Sequence, residues 1–92
     1  MKYDIKVSKS FKQDLKKAKK RGFDISKLER VINKLADGEM LEEKYSDHAL
    51  TGNYIGFREC HIQADWLLIY RIEKEIFILF LSRTGTHSDL FN

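Results

Sequence analysis

Two nearly continuous apolar runs late in the chain, Leu67 to Ile69 and Ile76 to Leu81, constrain the fold more than any other feature. Short runs of this kind, lacking polar alternation, read as central strands buried on both faces. Around them the composition turns β-branched and aromatic, and three strands are expected, over Tyr54–Ile62, Asp65–Ile72 and Ile76–Arg83. The gaps between them, Gln63-Ala64 and Glu73-Lys74-Glu75, are of hairpin length.

What rests on that sheet comes earlier. Tyr3, Ile5 and Val7 alternate with Asp4 and Lys6, the pattern of a short strand with one buried face. Ser8 or Ser10 can then cap a helix in which Phe11, Leu15 and Ala18 form one apolar stripe, and Gly22 ends it. A second helix is expected from the capping box Ser26-Lys27-Leu28-Glu29, with Leu28, Val31, Ile32 and Leu35 on one face and Gly38 as the stop. Each helix alone is too short to be stable in water, so both must lie on something apolar. The order is β-α-α-β-β-β. One α+β domain over residues 1–92 is expected, a helical hairpin on a mostly antiparallel four-stranded sheet.

Charge is unevenly distributed. Residues 1–30 carry 11 Lys/Arg against 4 Asp/Glu, whereas the remainder carries 6 against 10. In the first helix Lys9, Lys12, Lys16, Lys19 and Lys20 gather beside the apolar stripe, while Lys17 lies elsewhere. Such a flank either attracts a polyanion, nucleic acid being the commonest in the cytosol, or is simply solvated. No apolar run approaches the ~20 residues of a membrane helix, and nothing resembles a signal peptide. With a single cysteine, Cys60, no internal disulfide can form, and a cytoplasmic protein is expected.

All three histidines fall at expected element ends or strand positions. His48 lies in the loop Asp47-His48-Ala49-Leu50-Thr51-Gly52. His61 and Asp65 flank a hairpin, with Trp66 beside them. Arg83 and His87 occupy the stretch Arg83-Thr84-Gly85-Thr86-His87-Ser88-Asp89-Leu90-Phe91, where a buried strand should surface. Neighbouring strand ends are about 5 Å apart, so these groups can share one site. Taken singly, each has a plainer role: a surface imidazole, a turn aspartate, a packed Trp66, an Arg83 paired with Glu59 or Glu73, or a Phe91 plugging the C-terminus. His48, His61, His87 and Asp65 are also of types that ligate zinc, but no His-x-x-x-His or Cys-x-x-Cys spacing accompanies them.

The ordered blocks Asp47-His48-x-Leu50-x-Gly52, Arg58-Glu59-x-His61-Ile62-x-x-Asp65-Trp66-Leu67-Leu68-x-Tyr70 and Arg83-Thr84-Gly85-Thr86-His87-x-x-Leu90-Phe91 closely resemble YafQ-type toxins of the RelE/ParE toxin–antitoxin superfamily. The resemblance implies a small β-α-α-β-β-β protein that cleaves mRNA on the translating ribosome without metal or other cofactor. It implies silencing by a cognate antitoxin, with DNA reached only through that antitoxin. It also carries functional roles onto His48, His61, Asp65, Trp66, His87 and Phe91. ParE-like members, which poison DNA gyrase, lack such a histidine set and match less well. A non-catalytic RNA-binding module is the other alternative.

The chemistry fits the residue types. Metal-free RNA cleavage uses the substrate's 2′-hydroxyl as nucleophile, so one group must take its proton and another must protonate the departing 5′-oxygen. Imidazole, with an unperturbed pKa of about 6.5, suits both steps. The expected assignment has His87 as acid, His48 or Asp65 as base, and His61 as electrostatic partner. Asp65 is alternatively the group that orients an imidazole. Arg83 is expected on phosphate oxygens. Trp66 and Phe91 are expected as stacking platforms, and Lys9, Lys12, Lys16, Lys19 and Lys20 as contacts to ribosomal or messenger RNA phosphates.

Overall fold

The computed structural model describes residues 1–91; Asn92, the last residue of the expected domain, lies outside the described residues. Along the chain run β1 (Asp4–Val7), α1 (Lys9–Lys20), α2 (Ile25–Ala36), β2 (His48–Ala49), β3 (Arg58–Gln63), β4 (Trp66–Glu73), β5 (Ile78–Gly85) and α3 (His87–Phe91). The sheet has five strands in the order β1-β5-β4-β3-β2, all antiparallel except the parallel pair β1–β5. The expected class therefore holds, with one strand more than expected, because His48 and Ala49 add to β3 opposite Glu59 and Arg58.

Local chemistry explains where elements start. Ser8 caps α1 by accepting from the Phe11 backbone N–H at 2.9 Å. The capping box expected at Ser26 does not form. Asp24 is the cap of α2, accepting from Ser26 N at 3.1 Å, and Ser26 is already inside the first turn. Strand β3 begins four residues later than expected, since Gly52–Tyr54 forms a 3-10 turn and Gly56 follows with φ +92°. Ile76 lies in another 3-10 turn, over Lys74–Ile76, and Phe77 has φ +56°, so both are more than half exposed instead of entering a buried strand.

The sheet packs differently on its two faces. Toward the helices, Phe11, Leu28, Val31 and Leu35 meet Cys60, Trp66, Leu68, Tyr70, Leu79 and Leu81 in the main core. On the other face Leu67, Ile69 and Leu90 form a smaller cluster with Leu50, Tyr54 and Phe57 against it. The run Leu67–Ile69 is buried on both faces as expected; on β5 only Leu79 and Leu81 of the apolar run are buried, with Ile78 and Phe80 partly open. Cys60 is a free, buried thiol whose pKa burial pushes well up, so it is chemically quiet.

Candidate active site

The smaller-cluster face carries the polar groups. Register sets Glu59 beside Ile69 and His61 beside Leu67, and puts His48 across from Glu59. Side chains alternate along a strand, so Glu59 and His61 share this face while Cys60 and Ile62 point into the main core. A register shift between His61 and Gln63 then turns the chain into the hairpin bearing Asp65.

α3 delivers His87 to the same place, and its start is firmly built. Thr86 Oγ1 accepts from Asp89 N at 3.1 Å, and Asp89 Oδ2 accepts from Thr86 N at 3.0 Å, a reciprocal capping box. Arg21, just past the end of α1, donates to the same carboxylate at 2.6 and 3.1 Å, with Lys17 at 3.4 Å. The Arg21 hydrogen bond, followed by that from Thr86 N–H, holds Asp89 well below the usual carboxylate range. Gly85 (φ +157°) lets α3 fold back, because a Cβ there would lie 3.0 Å from Asp89.

His87 is fixed by Asp65. A single carboxylate oxygen, Oδ1, accepts from the His87 backbone N–H at 3.0 Å and faces its ring Nδ1 at 2.7 Å. The backbone bond first, and the ring bond second, lower the Asp65 pKa. With Nδ1 taken, Nε2 is the nitrogen that His87 presents outward. The ring of His61 stands across at 5.8 Å between centroids, and Phe91 lies tilted beside His87 at 6.2 Å. Phe91 is 46% exposed, and its inner edge is supported by Tyr54 at 5.6 Å.

Behind the imidazoles lies Glu59, a residue missed as a candidate although its spacing from His61 is that of one strand face. It is 5% exposed, and its Oε2 lies 3.1 Å from His48 Nε2 and 3.7 Å from His61 Nε2. His48 Nδ1 meets the Ser46 carbonyl at 2.7 Å. A neutral imidazole has one N–H and satisfies only one of those two oxygens, whereas the imidazolium satisfies both. His48 is thus tied up on both nitrogens, and His61 is the less encumbered ring.

Two expected site residues are engaged by other groups. Trp66 is 1% exposed, packed 4.9 Å from Phe23, with Nε1 donating to Thr84 Oγ1 at 2.9 Å; no face is open to a stacking base. Arg83 gives Nε and Nη2 to Asp14 of α1 at 2.6 and 3.1 Å, neither to a phosphate position nor to Glu59 or Glu73. Asp14 also accepts from Thr84 N at 3.1 Å, satisfying β5 beyond the point where β1 stops pairing with it. Lys9, Lys12, Lys16, Lys19 and Lys20 are exposed along α1, and none is in an ion pair among the described residues.

The chain matches the family model for a bacterial toxin of the type II toxin–antitoxin system, YafQ, over residues 3–92. It belongs to the YafQ family. The mRNA interferase toxin YafQ of Escherichia coli K12 is 38% identical over 89 residues, covering 96% of this chain and 95% of the relative. Among solved structures, the E. coli DinJ-YafQ complex superposes with a TM-score of 0.90 at 37% identity, covering 98% of this chain and 99% of that one. A metal-bound toxin from Helicobacter pylori superposes with a TM-score of 0.91 at 47% identity, covering 97% and 99%. In this YafQ-family chain, Glu59, His61 and His87 offer one ligand atom each, mutually within 4.8 Å. Two imidazole nitrogens and a carboxylate oxygen are a donor set suited to a first-row transition ion. Among the described residues, no helix is long and apolar enough to cross a membrane.

Proposed function

We propose that this chain is the toxin of a type II toxin–antitoxin pair, a single RelE-like domain that cleaves mRNA on the ribosome using the substrate's own 2′-hydroxyl. The observation that carries the reading is the neighbouring pair of imidazoles, His61 and His87, set edge to face with their ring centroids 5.8 Å apart and Asp65 fastened to Nδ1 of His87. One ring on each side of a phosphodiester is what the two proton transfers require. His87 presents Nε2 and protonates the departing 5′-oxygen. Asp65 orients it through the ring Nδ1 and the backbone N–H. His61 takes the 2′-hydroxyl proton, and the Glu59 carboxylate behind it offsets the charge gained.

This division departs from the expectation of His48 or Asp65 as base. Asp65 is a weakened base because its hydrogen bonds to His87 lower its pKa, and both nitrogens of His48 already face oxygens. His48 instead positions Glu59. Phe91 stacks the base next to the cleaved bond, and Trp66 supports the site by fixing Thr84 from the core. The reaction needs no metal; an ion on His61 and His87 would occupy the nitrogens that move protons. The exposed lysines of α1 contact ribosomal or messenger RNA phosphates. The partner is a cognate antitoxin, as the E. coli relative is found with DinJ, and DNA is contacted only through it.

The test is induction in cells followed by mapping of mRNA 5′ ends, with His87→Ala alongside. Wild type should give new 5′-hydroxyl ends within coding regions; the variant should lose about 10²–10⁴-fold of the cleavage rate while staying folded. Full activity in the folded variant would remove His87 as the acid, and DNA damage without mRNA cleavage would select gyrase inhibition.

A further inference from the structure

His61 has a second neighbourhood that the proton chemistry leaves unused. It also lines a cavity of about 320 Å³ whose other walls include Lys27 and Arg30 of α2, Lys44 and Tyr45 of the 3-10 turn Glu43–Tyr45, and Gln63 at the end of β3. Three cations from two separate segments converge there. Lys27 Nζ is held by Gln63 Oε1 at 2.5 Å, a neutral partner, and Asp24 is near enough for Lys27 and Arg30 to favour its charged form without forming an ion pair with either. Lys44 Nζ sits over the Tyr45 ring at 5.2 Å. Among the described residues no carboxylate is within ion-pair distance of Lys27, Arg30 or Lys44. The nearby Asp24, which caps their helix, is engaged by Ser26 through both its backbone N–H (3.1 Å) and its hydroxyl (2.5 Å).

We infer that this cavity is a subsite for a backbone phosphate of the RNA strand, adjoining the phosphate cleaved between His61 and His87. The inference rests on the ribonuclease reading above and adds to it a path for the strand, from Phe91 past His87 and His61 into the Lys27–Arg30–Lys44 cavity. Shared ownership of His61 favours this occupant over an acidic peptide, because a strand held at the imidazoles must leave past one side of that ring. Arg30 supplies planar paired donors and the lysines supply point charge, the usual combination on phosphate. The role is sequence-independent, since phosphate carries no base information.

The experiment uses purified full-length toxin and ribosomes programmed with mRNA, comparing wild type, the triple variant Lys27→Gln/Arg30→Gln/Lys44→Gln and the single variant Arg30→Lys. The triple variant should raise KM about tenfold, leave kcat within about threefold, and flatten the log–log salt dependence by roughly 0.7 for each phosphate it no longer neutralises. Arg30→Lys, which keeps the charge but gives up the paired donors, should raise KM less than the triple variant does. All three side chains are exposed, and unchanged thermal unfolding will verify the fold of both variants. Wild-type cleavage with an unaltered KM and salt slope in the triple variant overturns the subsite and leaves the ribonuclease reading standing. An unaltered KM with weakened antitoxin affinity overturns it in favour of an acidic-peptide site. No cleavage by wild type overturns the ribonuclease reading and the subsite with it.

Discussion

Arg83 is the residue on which a catalytic and a structural role can be separated quantitatively. In the structure its Nε and Nη2 are spent on Asp14, and the same carboxylate takes the Thr84 backbone N–H. The Asp14 side chain is 12% exposed and that of Arg83 29%. Asp14→Ala therefore removes a partly screened ion pair, about 1 kcal/mol, and strands the N–H of a buried threonine, a further ~1–3 kcal/mol. The total, about 2–4 kcal/mol, is a Tm loss of roughly 10 °C or more for a chain of this size. Arg83→Ala should cost only about 1 kcal/mol, because Asp14 still accepts from Thr84. The double variant should then show a coupling of about 1 kcal/mol in urea denaturation. Cleavage by folded Arg83→Ala should remain within a few-fold of wild type. A guanidinium clamping the transition state behaves otherwise: its removal costs about 10²-fold or more in kcat. Coupling near zero, together with such a loss, would refute the structural assignment of Arg83.

Two further outcomes follow from the site. Asp89 has a folded pKa held below its unfolded value of about 3.9 by Arg21 and Thr86; its stabilisation is therefore full above that unfolded value and drains away as pH falls through the folded one. Asp89→Asn should be less stable than wild type near neutrality, and the two denaturation midpoints should approach each other as pH falls below about 4. Curves that stay parallel would show that the clamp contributes nothing. Copper or zinc ions should inhibit cleavage by occupying His61, His87 and Glu59, with chelator restoring the rate, whereas chelator alone should leave wild-type activity unchanged; activity that requires added metal would reverse the metal-free mechanism.

Much of this was legible in the residues because short-range chemistry wrote it. The Ser8 cap, the Leu28–Val31–Leu35 face and the apolar run Leu67–Ile69 each follow from periodicity or from one hydrogen bond. Where neighbouring signals compete, the sequence misleads. Asp24 displaced the Ser26 box as the cap, and the turns at Gly52–Tyr54 and Lys74–Ile76 shortened two strands, exposing Ile76 and Phe77. The box Thr86-His87-Ser88-Asp89 was available to the same rule that was applied at Ser26, and it proved to start a helix.

By itself the sequence determined the class of the fold and singled out the histidines and Asp65 as candidates for proton transfer, since side-chain period and residue chemistry are local properties. Only the tertiary structure decided which of them stand together. Pairing register set Glu59 behind His61, and a hairpin and a one-turn helix from distant parts of the chain brought Asp65 onto His87. The packing of α1 along β5 gave Arg83 the Asp14 carboxylate as its partner. Partners like these are chosen by the three-dimensional path of the backbone, over separations that no local pattern encodes.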